Sequence, residues 1–226
     1  MTFLLLLVML PACAAIPRDL TGKVFNFPTH SIIAHVRLTT PIRIFRAITV
    51  CHRSITDLQR DHVLFSMATS SYSNALRVFW DHANKEMKPS IIDKASKYPG
   101  LDYRPNMWHS ICTTYDSASY MVQLWFNGQP SVRRYVYAPS ISGSGRDTVI
   151  ILGQEQDSYG GDFDFKQSFV GKLSDIHMWD YALSPCEIQK YVDGTNFTAG
   201  NVLNWGALEF VRYDRVFIED KQENCV

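Results

Sequence analysis

Gly153–Ser168 reads GQEQDSYGGDFDFKQS, with four acids (Glu155, Asp157, Asp162, Asp164) against the single base Lys166, a local charge of −3. Gly160-Gly161 lets the backbone turn sharply among these acids, and Gln156 and Gln167 add neutral amide oxygens. Hard cations such as calcium take six to eight oxygens from carboxylates, amides and backbone carbonyls. The segment therefore has the donors to wrap one or two calcium ions, although no EF-hand spacing is present. Its plain alternative is a solvated acidic loop. A glycosidase pair, Glu155 with Asp157 or Asp164, is the catalytic alternative. That chemistry needs two carboxyls facing each other across a substrate cleft, and acids packed beside a Gly-Gly turn suit a cation better.

The rest of the chain must position this loop. Its 226 residues carry 22 Lys+Arg against 22 Asp+Glu, with 46% hydrophobic, 13% aromatic and 19% charged residues. That balance excludes a disordered chain and gives no basic footprint for nucleic acid. Twelve short segments from Lys23–Phe27 to Val216–Ile218 read as strands, among them Ile42–His52, Ala75–Trp80, Val132–Val136 and Ala207–Val211. Asn127-Gly128 between Met121–Phe126 and Val132–Val136 signals a tight hairpin. Many short strands in one repeat-free domain imply an all-β antiparallel sandwich or jelly roll. Ser184-Pro185-Cys186-Glu187 is a capping box that should start one short helix on a sheet face, with Glu187 reaching back, and the helix should stop at Gly194. In Asn74–Trp80, alternation puts Leu76, Val78 and Trp80 on the core face and Ala75, Arg77 and Phe79 on the other.

At the start, Phe3–Leu10 is an apolar run followed by Pro11 and the small residues Ala12–Ala15. It is too short to span a bilayer and reads as a secretory leader over residues 1–15, with residues 16–226 as the mature domain. A buried N-terminal strand is the competing reading. No later stretch approaches transmembrane length, so the expected product is secreted and soluble. Outside the leader stand Cys51, Cys112, Cys186 and Cys225, an even number suited to disulfides in an oxidising compartment, with three connectivities open. None has zinc-type spacing. Asn196-Phe197-Thr198 is a glycosylation sequon past the helix stop.

The run IILGQEQDSYGGDFDFKQSFVGKLSDIHMWDYALSPCEI (Ile150–Ile188), with NVLNWGAL (Asn201–Leu208) and FNFP (Phe25–Pro28), resembles the pentraxins over Asp19 to about Glu219. The family motif His-x-Cys-x-Ser/Thr-Trp corresponds to Ser110–Tyr115; Cys112 and Thr114 are kept, while Ser110 and Tyr115 replace its His and Trp. The likeness is loose across Asp81–Met107. It implies a flattened antiparallel jelly roll, lectin-like, with two calcium ions per subunit on one face and a homopentameric ring.

By the same resemblance, Glu155, Gln156 (through its backbone carbonyl), Asp157, Asp164 and Gln167 match the calcium ligands. Asp164 stands where relatives in the family have Glu, one methylene longer. Ser73-Asn74 corresponds to an Asp-Asn pair, so Asn74 still offers an oxygen while Ser73 replaces a carboxylate with a hydroxyl. Affinity follows ligand charge, so one ion should be held weakly. Phe79 matches a platform for choline methyls; on alternation alone, an ordinary surface or interface Phe fits equally well. Cys51 and Cys112 match the family disulfide, which also removes Cys112, beside His109, from any nucleophile pair. Cys186 and Cys225 fall outside the pattern and either pair within the chain, the favoured arrangement, or link subunits.

The function implied is a non-catalytic, acute-phase type of pattern recognition in innate immunity. Phosphocholine or related phosphate or carbohydrate groups on microbial or damaged-cell surfaces would be the ligands. Complement or Fc receptors would meet the opposite face. A calcium-dependent carbohydrate-binding or laminin-G-like adhesion module is the alternative.

Overall fold

The computed structural model describes residues 16–40, 42 and 44–222. The leader assigned to residues 1–15 and the pairing of Cys186 with Cys225 lie outside the described residues. The longer elements are β1 (Lys23–Phe27), β2 (His35–Thr40), β3 (Ala47–Ile55), β4 (His62–Thr69), β5 (Tyr72–Asp81) and β6 (Glu86–Ile91). They continue with β7 (His109–Asp116), β8 (Met121–Phe126), β9 (Thr148–Leu152), β10 (Gly171–Trp179), α1 (Pro185–Asp193), β11 (Val211–Tyr213) and β12 (Phe217–Asp220). Two antiparallel sheets face each other as a jelly-roll sandwich: β8-β7-β3-β10-β1-β12 in one, β11-β2-β9-β4-β5-β6 in the other.

Alternation along the strands makes the core. Ile48 and Val50 of β3 point between the sheets with Phe65 and Met67 of β4 and Leu76, Val78 and Trp80 of β5. Cys51, Cys112, Trp125 and Trp179 point outward from the first sheet and receive Leu183, Ile188 and Tyr191, so α1 covers that outer face. In β10 a bulge at Asp175 (φ 52°) adds a residue, and the inward set moves from Leu173 to Ile176 and Met178 without leaving the core.

Several sequence expectations change in detail. Ile42–His52 is not one strand: Ile44–Phe45 pairs with Ile141–Ser142 in a separate two-stranded piece, and β3 begins only after Arg46. Only Arg134–Tyr135 of Val132–Val136 pairs back on β8, because Gln129–Pro130 takes the place beside the turn. Ala207–Val211 gives way to a 3-10 turn at Trp205–Ala207, where the Asn204 side chain accepts from Gly206 N at 3.0 Å. Strand β6 was not anticipated, since Pro89 interrupts its pattern. The Pro89 carbonyl accepts from Ser96 N on the outer side, so the missing N–H also faces that short-stranded edge.

Helix α1 begins as its sequence suggests, with Ser184 Oγ accepting from Glu187 N at 3.3 Å. Glu187 does not reach back, however. Its carboxylate accepts from Thr198 N at 3.1 Å and Lys190 Nζ at 2.7 Å, tying down the returning loop instead. Gly194 ends the helix. Arg53 Nη2 donates to the Tyr191 and Val192 carbonyls at 3.1 and 2.9 Å, placing a cation where the helix dipole is negative.

Burial gives the fold an acid sensitivity. Desolvation pushes His52, 1% exposed and with neither ring nitrogen bonded, down to about 3, and pushes His62 and His177 down to about 4. Unfolded, all three titrate near 6.5, so protons bind the unfolded chain more tightly. Stability should therefore be fully present above pH ~6.5 and fall as pH drops towards about 4. Urea midpoints measured with chelator should hold level from pH 7.5 to about 6.5 and decline from there to pH 5, and a profile flat throughout would contradict this account.

Candidate metal centre

Strand β9 delivers the chain to the acidic loop at Gly153, whose φ is +91° and whose carbonyl accepts from Phe169 N at 2.9 Å. A Cβ there would lie 2.3 Å from Cε1 of Phe27, so the loop leaves the core through a gap only glycine fits. Gln154 is then fixed from below, its Nε2 donating to the Ser31 and Ala34 carbonyls at 2.7 and 3.0 Å.

Glu155 follows on the outer face of the second sheet, fully buried, with Arg77 Nη1 donating to its Oε1 at 2.6 Å. Its Oε2 has no hydrogen-bond partner. Desolvation raises the Glu155 pKa above the usual carboxylate value; Arg77 opposes that shift and nearby Asp157 adds to it. The Gln156 side chain holds the loop in shape: Nε2 donates to the Ser66 carbonyl at 3.0 Å, and Oε1 accepts from Gly160 N at 3.0 Å. Gly160 (φ +79°) makes the turn, Ser158 and Gly161 exchange N–H···O bonds at 3.3 Å, and Asp157 and Asp162 remain exposed.

On the far side of the turn, Asp164 Oδ1 accepts from Lys166 N at 2.9 Å and caps the 3-10 turn Phe165–Gln167. Arg60 braces that turn, donating to the Lys166 carbonyl at 2.9 Å and Ser168 Oγ at 3.2 Å. Gln167 Oε1 and Asn74 Oδ1 are buried without a partner. Ser73 and Asn74 lie half-buried at the start of β5. Among the described residues no group of three or more His, Cys, Asp or Glu side chains is gathered as a metal cluster. The donors to be satisfied are of mixed type: one carboxylate oxygen and two amide oxygens, from Glu155, Gln167 and Asn74. Such a set suits a hard cation and not a soft one.

Phe79 shares the outer face with Arg77, as alternation implied, but it is only 6% exposed. The Arg77 guanidinium lies over the ring at 5.0 Å from its centroid, and Nη2 approaches Ser90 Oγ at 3.4 Å. Sequence reasoning gave Arg77, Arg60, Ser66 and Ser90 no role. Only Arg77 left a signal, as a charge beside Phe79 on the outward face. A cleft of about 610 Å³ lies elsewhere, lined by residues including Asn26, Phe27, Asp57, Trp108 and Lys172 and by none of the loop carboxylates. Cys112 is bonded to Cys51 across adjacent strands. His109 Nε2 lies 3.1 Å from the Arg104 carbonyl and Nδ1 3.2 Å from Asn127 Nδ2, a supporting role in the hairpin. Asn196 is exposed after α1, and no helix among the described residues is long and apolar enough to cross a membrane.

A family model described as the pentaxin family matches residues 23–220. C-reactive protein of Rattus norvegicus is 38% identical over 206 residues, covering 89% of this chain and 86% of the relative. Serum amyloid P-component of Sus scrofa is 38% identical over 206 residues, covering 90% of each. A heptameric SAP-like pentraxin from Limulus polyphemus superposes with a TM-score of 0.78 at 25% identity, over 88% of this chain and 95% of that one. With the sandwich, the Cys51–Cys112 bridge and the acidic loop in place, the chain belongs to the pentaxin (pentraxin) family.

Proposed function

We propose that this protein is a secreted, calcium-dependent pattern-recognition protein of innate immunity that binds phosphocholine or related phosphate or carbohydrate groups and catalyses no reaction. The observation that carries the reading is that three of the expected ligands hold a buried oxygen without a partner, Asn74 Oδ1 at the start of β5 and Glu155 Oε2 and Gln167 Oε1 in the acidic loop. A buried acceptor left unmet costs about 1–3 kcal/mol, so three in one ligand set favour a cation as their natural partner.

Asn74, Glu155, Asp157, Asp164 and Gln167 by side chain and Gln156 by its carbonyl would hold two calcium ions, with Ser73 a weak contributor. Bound calcium supplies positive charge and open positions for ligand oxygens. The chain's own work is to hold the loop: Ser66 fixes Gln156, Gln156 fixes Gly160, and Arg60 fixes the turn after Asp164. Phe79 would offer its ring edge to an apolar group on the ligand. Residues 1–15 would be removed as the leader, residues 16–226 form the mature domain, and Asn196 carries the glycan on the helix side. The chain would assemble as a homopentamer, and several weak sites facing one way would give avidity on a repetitive surface. Complement or Fc-type receptors would meet the other face.

The test is passage over immobilised phosphocholine in calcium, followed by a chelator. Retention in calcium and release by chelator are expected. Retention that ignores the chelator would overturn the mechanism, and light scattering of the same sample separates a ring of five from one of seven.

A further inference from the structure

Arg77 is chemically out of keeping with a plain cation site, because it brings a fixed positive charge to the most buried carboxylate of the set. Glu155 is fully buried and Arg77 is 20% exposed, so their 2.6 Å contact is screened little by water. A buried carboxylate without a counter-charge is strongly disfavoured, and when no metal is bound the guanidinium supplies that charge.

Yet the pair is incomplete. A guanidinium and a carboxylate can join through two parallel bonds, but here only Nη1 and Oε1 meet. Glu155 Oε2 and Arg77 Nε are both buried without partners, and Nη2 has only Ser90 Oγ at 3.4 Å. The guanidinium is held from beneath by the Phe79 ring at 5.0 Å, a contact that keeps it near the loop without needing Glu155. An ion pair with one arm bonded, one arm open and a second resting place is built for exchange.

We infer that Arg77 is the resident counter-cation of the calcium site and sets its threshold: metal and guanidinium compete for the charge of the Glu155 carboxylate, so calcium binds against a cation already held at Oε1. This rests on the calcium reading above. It adds that the protein holds its loop folded at low calcium and binds metal more weakly than its oxygen donors alone would allow. A purely structural Arg77 would act in the opposite sense, since its loss would loosen the loop and weaken calcium.

Calorimetric titration of the whole protein with calcium alone tests the sign, using wild type, Arg77→Met and Arg77→Gln. The glutamine keeps a donor towards Glu155 and serves if the methionine variant does not fold. Each variant should bind calcium at least tenfold more tightly than wild type, and in chelator each should melt at a lower temperature. Equal or weaker calcium binding by the folded variants overturns the inference while leaving the calcium reading intact. Absence of calcium binding in wild type and both variants overturns the reading and the inference together.

Discussion

Replacing Cys51 and Cys112 together with alanine is expected to lower unfolding stability by about 4 kcal/mol. The bridge closes a span of 61 residues, and releasing it returns that closure entropy to the unfolded chain. Domains of this kind are stable by only about 5–15 kcal/mol, so the loss is a large fraction of the total. The two cysteines are direct cross-strand partners on β3 and β7, and their sulfurs lie under Trp125, Trp179 and Ile188. Alanine therefore also thins the surface on which α1 rests. Urea titration of the double variant should show a lower midpoint, with tryptophan fluorescence changing early as the helix face loosens. A loss below about 1 kcal/mol would mean that the strand pairing alone holds this face.

Gly153→Ala should be nearly as costly, by a different route and with a different functional outcome. The new methyl would sit 2.3 Å from Phe27 Cε1 and 2.7 Å from Cδ1, and the backbone there has φ +91°. Crowding a packed ring costs about 1–3 kcal/mol, and a positive φ at a residue with a Cβ adds about 1–2. Phe27 lies in the core and has little room to yield, so the loop must move, and with it Gln154, Glu155 and Gln156. A loss of about 3 kcal/mol is expected, along with at least a tenfold fall in calcium affinity. Gly145→Ala is the control. It also has positive φ (+74°) but nothing within 4 Å of the added carbon, so it should cost about 1 kcal/mol and leave calcium binding unchanged. Equal effects from the two substitutions would show that backbone conformation alone, and not the Phe27 contact, governs the loop.

The acidic loop was legible because its carboxylates are neighbours in sequence; no folding step is needed to see four acids around a Gly-Gly turn. The sandwich was legible for a related reason, since the alternation of Leu76, Val78 and Trp80 against Arg77 and Phe79 is local and survives in the fold; Ala75, assigned by the same pattern to the outer face, instead joins the core, where the strand pairing shifts register. Arg77 was placed on the correct face by that alternation, but its partner Glu155 is 78 residues away, and one strand's pattern does not name which loop will lie above it. Strand β6 escaped because Pro89 breaks the usual pattern, and the edge that tolerates it exists only once the sheet is assembled. Glu187 shows the same limit at a helix start: the capping box was present in sequence, but Thr198, brought back by the following loop, offered the carboxylate another donor. Local chemistry was readable, and the choice among competing partners waited on the tertiary fold.

The two sheets turn opposite sides to solvent, with α1 on the first and the Glu155 loop on the second. Anything that holds this molecule by the loop therefore presents the helix, exposed Cys186 and Asn196 away from the point of attachment, one sandwich thickness off the surface. A freely tumbling molecule shows both sides in every direction, whereas an anchored one shows a single side. On the proposed reading, the difference between free and anchored would lie in orientation, and a second protein would need no change of shape passing through the core to tell them apart.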